Sequence, residues 1–496
     1  MTHESSAAGP QCCQVKRRNF LADFGMGFTG LALGSMLHSD GVVRANDTQS
    51  WMPPSGQPMH TPKVRSVIWV FLSGGYSQME TFDPKPALNR YAGRTIQETP
   101  YPDPFQSPLH DKRSRSVIEQ VREKYAKIFP MQVGYAKHGE SGIEVTNWWP
   151  HLAKCVDDIC FVRNMWTTDN DHAAENQIHT GRHKLDESQP SIGAWATYGL
   201  GSLNKNLPQF VVLGGPTRSD TRESIDSYYL GPHHAGVPLA IDPKNPLPFG
   251  RRGSDVLFEE QRNEFELVRD LNGLLNTEYP DDDDMRARIR SYELAFNMQM
   301  AVPEAIDFSG ETPQTRGLYG LDNQTTRVAA RRCLAARRLV ERGVRFVQVY
   351  PSPYGVWDSH RQLKKLHAAR SAEVDQPVAA LLTDLKQRGL LEDTLVVFCT
   401  EFGRTPAIEE RGGGTDGRDH HPHGFTVWLA GAGVKQGCVY GATDELGFHA
   451  VEPGHYVTDL HATVLHLMGL DGRRLEVPGR KRLDIDHGAP IRGILA

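Results

Sequence analysis

Short apolar runs recur along this chain, and most are continuous rather than alternating. The first is Ser66-Val-Ile-Trp-Val-Phe-Leu72, which stops at Ser73-Gly74-Gly75. Others cover 159–162, 210–213, 344–349, 395–399 and 425–429. A strand that is apolar at every position is buried on both faces, which is how the strands of a parallel sheet read. Between them lie helical patterns that close on glycine: 326–342 before Gly343, 374–388 before Gly389, and 457–468 before Gly469. Glycine just past a helix supplies the left-handed stop. Strand and helix in this alternation predict an α/β chain, with a mainly parallel sheet covered by helices on both faces. The chain has 496 residues, enough for one elaborated core, which we place over 62–496. Over about 215–310 the alternation lapses into Pro/Gly-rich pieces and the acidic run Asp281–Asp284. We read that stretch as an insertion or lid, and the acidic run as a solvated loop before a helix over 285–298.

The N-terminus reads as an export address. Arg17-Arg18 followed by Phe20-Leu21, a weakly apolar Gly/Ala-rich stretch to Leu37, and Val43-Arg44-Ala45 look like a twin-arginine signal over 1–45. Asp23 and several glycines interrupt the stretch, so no stable membrane span is expected there, and no later window is apolar enough for one. The expected location is periplasmic or extracellular, with the twin-arginine translocase as the partner in export. That route carries folded proteins, often with a bound group, which favours a metal. Lys+Arg is 55 and Asp+Glu 60, so 55 − 60 = −5; a chain without a basic surplus is no general nucleic-acid binder. Cys12 and Cys13 would leave with the signal. Cys155 and Cys160 are close enough for a local disulfide, and Cys333, Cys399 and Cys438 read as buried thiols.

In an open parallel sheet, ligands bind beyond the carboxyl ends of the strands. Polar residues concentrate there. Trp357-Asp358-Ser359-His360 follows one run, and Glu401-Phe402-Gly403-Arg404 follows another. Asp419-His420-His421-Pro422-His423 precedes the run from Phe425, and Asp171-His172 leads into a helical stretch ending His179-Thr180-Gly181. Carboxylates and imidazoles at successive strand ends are what a divalent metal needs; zinc accepts both, while manganese and calcium lean toward oxygen. We take Asp358, His360, Glu401, Asp419 and His420 as candidate metal ligands. Glu401 ends an apolar strand, so it needs a cationic partner, either a metal or Arg404.

These segments, with Thr81-Phe82-Asp83-Pro84-Lys85-Pro86 and the closing Asp459-Leu460-His461-Ala462-Thr463, resemble the DUF1501 family over the whole mature chain. That family is abundant in planctomycetes, often called sulfatase-like, and placed in the alkaline phosphatase–sulfatase superfamily. The resemblance implies a three-layer α/β/α sandwich. It also implies metal-dependent hydrolysis of phosphate or sulfate esters, with an anionic ester such as a modified polysaccharide as substrate. It puts Asp171 or His172 near the nucleophile position. We take His172, Asp171 and Arg404 as candidate catalytic residues, and Ser73, His179 and His423 as candidate substrate contacts. The chain also departs from the superfamily pattern. Ser73 stands where a metal-binding Asp is usual, Phe402 where a His is usual, and the nucleophile position offers Asp171-His172. There is no formylglycine motif, which leaves two readings: a hydrolase that activates water, or a non-catalytic member that binds a ligand or partner.

Overall fold

The computed structural model describes residues 55–113, 127–215, 219–247, 258–278, 301–410, 414–451, 453–480 and 487–496, with positions 294, 297, 298 and 483. The export signal with Cys12 and Cys13, the run Asp281–Asp284 and most of the helix expected over 285–298 lie outside them. Leu247–Gln299 falls in a separate compact unit from Thr48–Pro246 and Met300–Ala496. Its described residues include the helix Phe258–Glu278, on which Leu267, Leu271 and Leu274 are exposed. No helix of the described residues is long and apolar enough to cross a membrane.

The larger unit is built on strands β1 (Ser66–Phe71), β2 (Tyr135–His138), β3 (Ile143–Thr146), β4 (Ile159–Trp166), β5 (Phe210–Leu213), β6 (Val237–Leu239) and β7 (Phe346–Val349). It continues with β8 (Thr394–Cys399), β9 (Gly403–Arg404), β10 (His420–His421), β11 (Phe425–Gly431), β12 (Cys438–Tyr440) and β13 (His455–Tyr456). The main sheet runs β12-β4-β11-β8-β1-β7-β5-β6, with β13 also on β4. β2 pairs with β3 and β9 with β10 in two small ribbons. β1 is parallel to β7 and β8 and is buried at every position, as its continuous apolar sequence requires.

Alternate residues feed two cores. Val67, Trp69 and Phe71 join one with Trp195, Leu460 and Val464 from the helices Ile192–Leu200 and Val457–Leu467. On the other face Phe398 is in register with Trp428, and Trp428 with Phe161. The Phe398 and Trp428 rings stack at 4.8 Å. Such cross-strand aromatic pairs add to area burial. The result is a three-layer, mainly parallel α/β arrangement, the class expected.

Three details differ from expectation. β11 is antiparallel to both β4 and β8. The chain leaves β8 at its carboxyl end and makes the β9–β10 ribbon there, so the next strand can only run back. The helix expected over 374–388 spans Leu363–Gln387, with Pro377 inside it. Its buried stripe includes His367 and Ser371, polar residues that hide the amphipathic period. Finally, Cys155 and Cys160 do not pair with each other. Cys155 lies against Ala379 and Thr383 on the helix Leu363–Gln387, while Cys160 is in register with Cys438 across β4 and β12. Sequence proximity did not bring their side chains to the same side.

Candidate metal and active site

The turn leaving β1 passes beneath the segment after β7. Gly74 has φ 120°, and a Cβ on it would stand 2.6 Å from the backbone nitrogen of Asp358. Only glycine permits both. The Gly74 N–H donates to Glu401 Oε1 at 2.7 Å, and the Thr400 hydroxyl donates to Glu401 Oε2 at 3.0 Å. Glu401 is fully buried, and its cationic neighbour is His172, whose Nδ1 lies 3.2 Å away. Arg404 pairs elsewhere. Its guanidinium reaches Asp358 Oδ1 at 2.8 Å, Gly75 O at 2.7 Å and Arg418 O at 3.2 Å, and it also donates to Gly74 O. With no exposure of its own, Arg404 ties the β1 exit turn to Asp358.

Asp358 is the hub. Oδ1 lies 3.1 Å from His360 Nε2 and 3.0 Å from His420 Nε2, and Oδ2 lies 3.1 Å from His172 Nε2. His360 Nδ1 is 3.5 Å from Asp419 and 3.7 Å from Glu409. The structure thus brings Asp358, His360, Glu401, Asp419 and His420 together, with His172 among them. Burial alone would push the Asp358 carboxyl up. Hydrogen bonds from His172 and His360 and the charge of Arg404 outweigh it and hold the carboxyl far below its ordinary range. For His172 burial works downward, and its bonds to Asp358 and Glu401 carry it up to about 9.

His420 decides what the cluster is made for. Burial, then the charge of Arg404, holds it down to about 3, so the ring is neutral. Its Nδ1 lies 2.8 Å from the Asn170 carbonyl oxygen, where only an N–H fits. Nε2 therefore points a lone pair at Asp358 Oδ1 and at His360 Nε2, the latter 3.1 Å away. A lone pair facing a carboxylate asks for a cation between them. An imidazole whose other nitrogen is pinned to a carbonyl is the usual form of a metal-ligating histidine. Two triplets, His172/Asp358/His420 and His360/Asp419/His420, each offer three ligand atoms within 4.8 Å of one another. The residues present fit a divalent ion, and their mixed nitrogen and carboxylate donors suit zinc or manganese better than calcium.

The pattern of the DUF1501 family, described as a protein of unknown function, matches residues 64–495. The chain belongs to this family. Comparison with curated proteins gives no match. Among solved structures, a protein in the alkaline phosphatase superfamily from Vibrio parahaemolyticus is 11% identical, with 92% of this chain and 80% of that one covered and a TM-score of 0.35. A sulfatase from Pseudoalteromonas sp. is 12% identical, with 82% and 68% covered and a TM-score of 0.31. The lipoteichoic acid synthase of Listeria monocytogenes is 9% identical, with 88% and 79% covered and a TM-score of 0.35.

Other candidates in this DUF1501 chain lie around or away from the hub. Ser73 accepts from Gly355 N at 3.0 Å and donates to Glu175 Oε2 at 2.9 Å. Glu175, fully buried on the helix Ala174–Thr180, was not among the candidates. Burial and the charge of Glu401 push it up to about 8; its place one helical turn past His172 was the available signal. Asp171 accepts from Ala173 N at 2.8 Å and pairs with Lys184. The structure does not bring His179 into the cluster. Its ring sits in the core, 4.6 Å from Phe71, with Nδ1 donating to Glu175 O at 2.6 Å and burial holding it down to about 3. Nor does His423 join. β10 has two residues whose side chains alternate: His420 faces Asp358, while His421 faces the Phe448 carbonyl, 2.6 Å away, with His423 beside it. The loop into β10 is fixed by Arg418 and Glu80, both fully buried and 2.8 Å apart. Thr167 and Thr168 both bond Gln177.

Proposed function

We propose that this chain is an exported, metal-dependent hydrolase of phosphate or sulfate esters, carried outward by the twin-arginine translocase. The observation behind this reading is the neutral His420, whose Nε2 lone pair faces Asp358 and His360. Asp358, His360, Glu401, Asp419 and His420 would hold the ion, with His172 at the shared edge. A divalent metal, when bound, polarises an ester oxygen and lowers the pKa of a water. The chain's own residues do the rest. Arg404 positions Asp358, Glu401 orients His172 through Nδ1, and His172 is the group we assign to proton transfer. Ser73 positions Glu175 rather than attacking, because its hydroxyl already donates to that carboxylate.

That occupied hydroxyl also supports a second reading: a member that binds an anionic ligand without turnover. Metal-loaded protein offered an aryl phosphate and an aryl sulfate separates the two. Turnover that disappears in Asp358→Asn supports hydrolysis. Stoichiometric metal with no turnover of either ester leaves the binding reading, and protein that takes up no metal at the Asp358 cluster ends the first.

A further inference from the structure

A second group of imidazoles lies on the other side of β10. We propose that His110, His423 and His449 hold a zinc ion, at a site separate from the Asp358 cluster. One ring nitrogen from each lies within 4.8 Å of the other two. The three come from different segments: the helix Pro108–Arg113, the turn between β10 and β11, and the stretch between β12 and β13. His423 and His449 are 3% and 4% exposed. Their rings stack with centroids 5.5 Å apart, and His110 stands edge-on to them at 5.3 and 6.1 Å.

The hydrogen bonds set the ring that matters most. His449 Nε2 lies 2.9 Å from the Pro104 carbonyl oxygen, so it carries the proton and Nδ1 carries the lone pair. His421 is pinned in the same way by the Phe448 carbonyl. A carbonyl on one nitrogen and a lone pair on the other is the ligating form of histidine. The three ligands include no carboxylate, and an all-imidazole set suits zinc over calcium or manganese. Zinc would draw the nitrogens in to about 2.0–2.1 Å and leave a fourth position for water. A cavity of about 600 Å³, lined by Tyr101, Pro104, Pro108, Leu109, Asp444 and His449, gives ion and water a route. Bound there, zinc ties residues 101–110 to the β10–β11 turn.

The two clusters share no ligand residue, so each can fail alone. The test strips the full chain with a chelator, reloads it with zinc or cobalt(II), and counts bound metal. Asp358→Asn protein is expected to retain one zinc per chain and to show tetrahedral cobalt bands. Adding His110→Ala or His423→Gln is expected to remove both signals. A zinc-edge anomalous peak among the three rings of the wild type supports the site. The proposal is overturned if Asp358→Asn protein retains no zinc, if retention is unchanged by His110→Ala, or if no peak lies among those rings. His110 is only half-buried, and near-UV circular dichroism checks that its variant folds; should it not, the wild-type anomalous map decides.

Discussion

The pentapeptide Asp419–His423 supplies two histidine clusters, one set among carboxylates and the other among imidazoles. On one side of β10, His420 meets Asp358, with His172, Glu401, Asp419 and Glu409 near. On the other, His421 and His423 meet His449 and His110. Carboxylates lift His172 to about 9, whereas burial and neighbouring imidazoles hold His421 well below its ordinary value. The same side chain is thus prepared as a proton carrier in one place and a neutral ligand in another. Neighbours set the difference, not residue type.

The largest expected effect separates the clusters outright. Asp358→Asn removes the carboxylate that three imidazoles face, and ester turnover should fall at least about 10²–10³-fold, measured with aryl phosphate and sulfate. Zinc at the imidazole cluster should stay, and losing both would break the separation. Next is Glu80→Gln, which leaves Arg418 buried without its anion. Breaking a fully buried pair costs about 3–5 kcal/mol, readable by urea unfolding, and it should weaken both clusters because β10 hangs from this pair. Unchanged stability would mean something else places β10. Gly74→Ala should cost about 1–3 kcal/mol through strain and overlap with Asp358. It should lower turnover while sparing the imidazole zinc, as metal counting would reveal. Comparable in size is the effect of zinc itself. At a hundredfold excess over its dissociation constant it should add about 2.7 kcal/mol of stability. Part of that thermal shift should survive in Asp358→Asn and vanish when His110→Ala is added.

Much of the framework was legible. β1, β5 and β8 are buried at each position because neighbours cover both faces, as their apolar runs require, and the glycines after the helices carry positive φ, 82° at Gly343 and 85° at Gly469. Less legible was the first half of the helix Leu363–Gln387, where His367 and Ser371 occupy buried positions. His367 is held down to about 3 by burial and takes a hydrogen bond from Ser77 N at 3.0 Å. Glu175 was missed for a similar reason: its proton and its bond to Ser73 depend on burial that composition does not report.

The sequence by itself determined the six central strands of the sheet and the edge where the chemistry collects, because apolar runs and glycine stops are local signals. Tertiary structure alone decided how the histidines divide. His420 meets Asp358 across 62 positions and His172 meets Asp358 across 186. Side-chain alternation on a two-residue strand splits His420 from His421. Which cluster receives each is fixed by long-range packing: β9 on one edge of that ribbon, the buried Arg418–Glu80 pair beneath its entry, and His110 and His449 arriving from distant segments.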